Sequence, residues 1–352
     1  MSRPLLPGLE SLSPAYFALV MSTGIISIAA FLLGQPTTAL TLFALNGVFY
    51  VVLWVLFALR LVWFGRAMAA DILDHLRGPG FFTIVAATSV LGSQALLLMD
   101  AVRIALALWW LAVAMWFGLT YVIFTILTVK RVKPPLERGI NGGWLLAVVA
   151  TQSIAVLGAL LATRIGQPWK LEMNFFALSM WLWGGMLYIW MMSLIFYRYT
   201  FFSFKPDDLS PPYWINMGAM AISTLAGSLL ILNVADAPFL QSLQPFIKGF
   251  TVFYWATGTW WIPMLLVLAV WRHVYRRFPL RYDSLYWGAV FPLGMYATAT
   301  HQMLAALDFR FLEWLPGVFF VLALGAWLGA FVGMIRAAWR ALRHLPDPGH
   351  AA

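Results

Sequence analysis

The chain has 352 residues, 62% hydrophobic and only 10% charged, with a mean hydropathy of +0.84. No soluble domain of this length hides that much apolar surface, so lipid must solvate part of it, and about 20 apolar residues cross the roughly 30 Å hydrocarbon core as a helix. The net charge of +9 does not point to nucleic acid, because Lys and Arg fall in short segments between apolar runs, and the absence of cysteine excludes disulfides, thiolate metal sites and cysteine nucleophiles.

Ten apolar stretches follow one another: 14–33, 38–62, 81–99, 104–129, 143–163, 173–197, 213–233, 247–271, 284–305 and 313–338. The first lies behind Arg3 and is long for a signal-peptide core, so it reads as the first spanning helix. Gly34 to Thr37 and Asp100 to Arg103 are tight connections. Arg131 to Asn141 contains Pro134 and Pro135, Thr200 to Pro212 contains Lys205, Asp207 and Asp208, and Arg272 to Arg281 holds four arginines. One side of the membrane collects 17 Lys and Arg, the other only Arg103, Arg164, Lys170 and Arg310, with Lys248 at its edge. The positive-inside rule then places both termini in the cytoplasm, and the protein in the cytoplasmic membrane as a single multi-pass domain over 1–352.

The odd spans begin near 14, 81, 143, 213 and 284, which divides the chain into five helical hairpins. These spans share a texture of small and hydroxylated residues: MSTGIIS, ATSVLGSQ, ATQSIAVLGA, AISTLAGS and MYATATHQ. The even spans, counting Trp63 and Trp339 at their ends, hold 15 of the 19 tryptophans. Indoles suit lipid contact and interfaces, whereas small hydroxylated residues suit close helix contact or a hydrated path. The alternation predicts two layers, odd helices inside and even helices outside.

Helical spacing aligns Thr23 with Ser27, Ser89 with Ser93, Thr151 with Gly158, Asn216 with Ser223 and Gly227, and Phe291 with Gly294, Thr298 and Gln302. Turned inward, these stripes make a polar lumen without Asp, Glu, Lys or Arg at mid-membrane. His301 is the one titratable imidazole within a span and reads as an interfacial hydrogen-bonder near the outer mouth rather than a proton relay. Lys248 at the outer mouth and the Arg272 to Arg281 cluster at the inner one would raise local anion concentration, although membrane topology alone explains that cluster. Pro292 is expected to kink the ninth span near its middle. Phe291 lies roughly 12 Å from the inner end, where its ring either plugs a narrow pore or packs on a neighbouring helix.

YFALVMSTGIISIA in the first span, FYWATGTWWIPMLL in the eighth and YWGAVFPLGMYATATH in the ninth resemble the tellurite-resistance/dicarboxylate transporter family, which includes the plant guard-cell slow anion channels. The resemblance covers nearly the whole chain. It implies an all-α integral membrane protein of five hairpins with quasi-fivefold symmetry, odd helices lining a central pore and even helices surrounding it, assembled as a homotrimer. It also implies that Phe291 occludes the pore and that Gly24, Gly92, Gly158, Gly227 and Gly294 are small pore-side residues. The long cytoplasmic tails of the plant channels have no counterpart here.

Two functions follow as expectations. The first is an anion channel or channel-like uniporter for small anions; the second is a carrier or exporter of C4-dicarboxylates, linked to tellurite resistance, with His301 as the residue through which proton coupling would run. An enzyme is not expected: there is no HExxH motif, His75, His273, His301, His344 and His350 are scattered, no span pairs histidines for haem, and no two mid-membrane aspartates stand ready as a dyad. No metal and no cofactor is expected.

Overall fold

A computed structural model of the protein describes residues 8–280 and 282–343, so Arg3, Arg281, His344 and His350 lie outside the described residues. Ten long helices pair as five hairpins: α1 (Ala18–Leu32) with α2 (Pro36–Ile72), α3 (Phe82–Met99) with α4 (Val102–Val129), α5 (Leu146–Ala162) with α6 (Trp169–Phe201), α7 (Ile215–Leu232) with α8 (Pro238–Val270), and α9 (Trp287–Leu307) with α10 (Leu315–Arg343). Among the described residues, nine helices are long and apolar enough to cross a membrane. α9 falls outside that set although its 21 residues reach about 32 Å at 1.5 Å each, because Thr298, Thr300, His301 and Gln302 dilute its apolarity. Two helices are longer than their apolar runs suggest. α2 continues to Ile72 across a break in helical geometry at Phe64 (φ −131°, ψ 35°), and α8 starts at Pro238, where proline suits the first helical position.

The alternation of layers is present in the packing. In the apolar stretches containing α1, α3, α5 and α7, between 78% and 94% of residues are buried, against 22% in α2, α4, α8 and α10 and 56% in α6. The odd helices form a closed ring: α1 packs on α3, α3 on α5, α5 on α7, α7 on α9, and α9 returns to α1. Each even helix leans on its own partner and on the odd helix of the next hairpin, with α10 closing onto α1.

A second ring lies at the basic face. Each odd helix is preceded by a short 3-10 turn: Pro14–Phe17, Gly78–Phe81, Gly142–Leu145, Pro211–Trp214 and Ser284–Tyr286. Neighbouring turns touch in chain order, and the last touches the first. Ser13, Asn141 and Asp283 cap three of them, each side chain accepting from the amide two residues on. Gly142 is required by the closeness of this ring, since a Cβ there would lie 2.5 Å from the Pro212 carbonyl oxygen and 2.6 Å from Tyr213 Cα.

The basic residues have a structural task beyond topology. At the basic end of four outer helices a cation donates to a carbonyl in the segment that leads into the same hairpin: Arg60 Nη2 to Glu10 (2.8 Å), Lys130 Nζ to Leu73 (2.9 Å), Arg198 Nε to Glu137 (2.7 Å) and Arg272 Nη1 to Leu209 (2.5 Å). In the fifth hairpin Gly333 of α10 sits against the Tyr282 ring instead. Arg60 also shares the carboxylate of Asp71 with Arg77, holding the segment after Phe64. Within the Arg272 to Arg281 cluster, Arg272 is buried beside the Phe278 ring, and Arg276 lies over Trp271 and Tyr275. On the sparse face Arg164 pairs with Asp100 and Lys170 with Asp236, solvent-exposed contacts that join successive loops and contribute little energy.

Candidate functional site: the axis of the inner ring

A cavity of about 20 Å³ runs along the axis of the inner ring in its sparse-side half. Its wall repeats with helical period on all five odd helices: Ile25, Ile28 and Leu32 on α1; Ser89, Val90, Ser93 and Leu97 on α3; Ser153, Val156 and Leu160 on α5; Ile222, Leu225 and Leu229 on α7; Met295, Thr298 and Gln302 on α9. Residues at i, i+3 or i+4, and i+7 or i+8 share one helix face, so each helix turns a single stripe to the axis. The space accommodates about one water-sized particle, and the wall is mostly apolar.

At the basic face a larger cleft of about 1020 Å³ is lined from the ring of turns, by Ser13, Gly80, Gly143, Pro212 and Ser284 among others. It extends sideways between α2 and α10, past Phe49, Leu53 and Met334. All five inner helices begin at this face, so the positive ends of their dipoles converge on the cleft.

Between the two spaces lies a sealed layer. One helical turn below the innermost cavity residue of each helix stand Met21, Val85, Val149, Gly218 and Phe291, and the four with side chains are each at most 1% exposed. The direction of Phe291 follows from its neighbours. Pro292 meets Gly218 of α7 and Gly294 meets Ile25 and Ile26 of α1. At about 100° per residue, Phe291 falls between those two contacts, on the stripe that continues as Met295, Thr298 and Gln302. Pro292 does not divide α9 near its middle: it is the sixth residue of a helix that runs uninterrupted from Trp287 to Leu307, and its ring fills the space opposite Gly218.

Several of the polar stripe residues bond neighbouring helices, and aromatic donors account for part of this. Each outer helix sends an aromatic donor to the inner helix of the next hairpin: Tyr50 to Thr88 (2.9 Å), Trp116 to Thr151 (2.8 Å), Trp181 to the Ser223 carbonyl (2.8 Å), Trp255 to Thr300 (3.0 Å), and Trp327 back to Thr23 (2.9 Å). Buried indole N–H and phenol O–H groups need acceptors. Thr23, Thr88 and Thr151 supply them while donating their own protons to carbonyls one turn back. Only some of the indoles meet lipid, among them Trp63, Trp110, Trp190 and Trp260.

The expected lining residues fall into two groups. Ser89, Ser93 and Thr298 line the cavity. Thr23 and Thr151 bond outer helices, Ser27 donates to the Ala39 carbonyl of α2 (2.7 Å), and Asn216 donates to Tyr199 of α6 (3.2 Å). Ser223 donates to its own helix at Ala219. Gly24 admits Val90, Asn46 and Gln94; Gly92 admits Leu157 and Leu108; Gly158 admits Trp109; and Gly227 admits Thr251 and Trp181. These glycines allow close approach between helices. Lys248 and His301 are each partly buried and neither lines the cavity, whereas Gln302 beside His301 does. The missed lining residues are Ser153 and mainly aliphatic side chains: Ile25, Val156, Ile222 and Leu225 look like core in any linear reading, and only the coincidence of phase around the ring marks them.

A sequence profile for the family described as voltage-dependent anion channel matches residues 11–335. An uncharacterized membrane protein of Mycobacterium tuberculosis is 38% identical over 149 residues, which is 42% of this chain and 75% of that protein. Two uncharacterized transporters of Methanocaldococcus jannaschii align more fully: one is 24% identical over 94% of this chain and 96% of its own length, the other 25% identical over 87% and 88%.

Proposed function

Since the chain belongs to the voltage-dependent anion channel family, and is thereby a multi-pass membrane channel or transporter for anions, we propose that small inorganic anions cross the bilayer along the axis of the inner ring and that Phe291 occludes this path. The observation that carries the reading is the phase of α9: Phe291 continues the stripe that lines the axial cavity and lies in the sealed layer between that cavity and the basic-face cleft. Five helix N-termini facing the cleft favour anions over cations, and anion attraction there requires no basic side chain at the axis. The quasi-fivefold arrangement, the homotrimer, the cytoplasmic membrane and a cytoplasmic basic face belong to this proposal. A C4-dicarboxylate fits less well, because a cavity of about 20 Å³ without a lining Lys, Arg or His offers a dianion neither room nor compensating charge.

The test is conductance of the wild type and Phe291→Ala in planar bilayers under asymmetric chloride. Small or silent wild-type current and a much larger anion-selective current in the variant support the reading. Two silent proteins, with proton-dependent malate uptake into vesicles, overturn it in favour of a carrier.

A further inference from the structure

The hydroxyl groups around the axial cavity are not equivalent. Ser93 donates its proton to the Ser89 carbonyl (3.0 Å), Ser153 to the Ala150 carbonyl (2.7 Å) and Thr298 to the Gly294 carbonyl (3.1 Å). A hydroxyl committed in this way turns lone pairs toward the lumen, which repel an anion. Ser89 differs. Its side chain is 1% exposed, its Oγ is buried without a hydrogen-bond partner, and it lines the cavity immediately above the sealed layer that contains Phe291. A buried hydroxyl with no partner is destabilising by its lost hydration. The adjoining space, about the size of one water-sized particle, is where a partner would sit.

We infer that Ser89 is the hydroxyl donor to the permeating anion, a selectivity-determining contact just outside the Phe291 seal. Resting on the permeation path proposed above, this inference adds a polarity rule to it. One free donor, Ser89, and three committed hydroxyls, Ser153 at its own level and Ser93 and Thr298 one turn further out, face the axis, so the site rewards a compact anion that accepts a single strong hydrogen bond. Gln302, at the outer end of the α9 stripe, supplies a side-chain N–H donor on the wall. A halide entering from the sparse face meets Gln302 first and Ser89 last, and reaches Ser89 without passing Phe291.

The experiment has two arms. In the first, wild type, Ser89→Ala and Ser153→Ala in detergent are melted with chloride and with gluconate. Chloride is expected to stabilise wild type and Ser153→Ala, and the effect is lost in Ser89→Ala. In gluconate Ser89→Ala melts no lower than wild type, because it loses a hydroxyl that bonds nothing in the protein; a merely structural serine would lower it. In the second arm Ser89→Ala is placed in the Phe291→Ala channel and the chloride-to-iodide permeability ratio is read from bi-ionic reversal potentials. The ratio is expected to fall roughly tenfold, as loss of a hydrogen bond to a charged group implies, whereas Ser153→Ala stays within about twofold and Ser89→Thr retains most of the preference. Undiminished chloride stabilisation in Ser89→Ala, or an unchanged ratio, overturns the assignment of Ser89. Absence of current in Phe291→Ala alone overturns the gate, and the melting arm then still decides whether Ser89 holds the anion.

Discussion

Arg198 tests whether the basic residues at one face do more than set topology. Its side chain is 7% exposed and sits between three acceptors: the Glu137 carbonyl at 2.7 Å from Nε, the Tyr213 hydroxyl at 2.6 Å from Nη1, and the Asp208 carboxylate at 3.3 Å from Nη2. The guanidinium also lies 5.1 Å from the Phe204 ring centroid. Arg198→Met keeps the apolar stem and removes every one of these bonds. Two buried charge-assisted hydrogen bonds contribute about 1.5–3 kcal/mol each. The Asp208 pair adds at most about 1 kcal/mol, because that carboxylate is one-third exposed. Part of the sum returns through burial of the methionine, so the net loss is expected near 3–5 kcal/mol, the usual cost of removing one member of a buried charged network. In detergent this lowers the melting temperature by on the order of 10 °C. Arg198→Lys preserves the charge that topology requires but cannot serve three divergent acceptors, so it loses most of the same stability. Arg138→Met removes an equally placed but exposed cation and is expected to change stability by no more than about 0.5 kcal/mol. If Arg198→Met and Arg138→Met melt together, the tether carries no energy and the guanidinium serves topology alone.

Three further outcomes follow from the same geometry. Gly142→Ala drives a Cβ into the backbone of the neighbouring turn and is expected to cost about 1–3 kcal/mol or more, whereas Gly118→Ala, in an open stretch of α4 with nothing within 4 Å, is neutral or stabilising by up to about 1 kcal/mol; parallel melting curves decide. Trp116→Phe strands the Thr151 acceptor and is expected to cost about 0.5–1.5 kcal/mol beyond the lost area, while Trp110→Phe, on a residue 60% exposed, leaves stability nearly unchanged. Burial, and then the positive charge of Lys130, hold the His75 imidazole below its ordinary value. Its neutral form is therefore favoured in the folded chain, and its contribution is full above the unfolded value of about 6.5 and is lost progressively as pH falls below it. His75→Gln should flatten that acid-side decline in a pH series of melting temperatures, and an unchanged slope would remove His75 from the explanation.

The sequence by itself determined the solvent, the hairpin period and which helices stand inside, because these depend on composition and on spacing along one strand of chain. Ten apolar runs can only be satisfied by lipid and by each other. The contrast between small hydroxylated residues in MSTGIIS or AISTLAGS and tryptophans in the alternate spans separates a closely packed layer from its surround. Sequence also placed Ser89, Ser93 and Thr298 on helix faces that line the cavity.

What tertiary structure decided was the use of the other polar residues. Thr23 and Thr151 have the same chemistry as Ser89 and the same helical environment, yet they accept from Trp327, 304 residues away, and from Trp116, while Ser89 meets nothing. A helical period identifies a face, but it does not say which neighbour lies opposite, and the donors that claim these hydroxyls arrive from other hairpins. The same holds for Arg198, whose charge is legible as topology and whose acceptors in Glu137 and Tyr213 are not. The cavity wall was hidden for the converse reason. Ile25, Val156, Ile222 and Met295 become a lining only when five helices present them at one phase around a common axis, a property of the closed ring rather than of any segment within it.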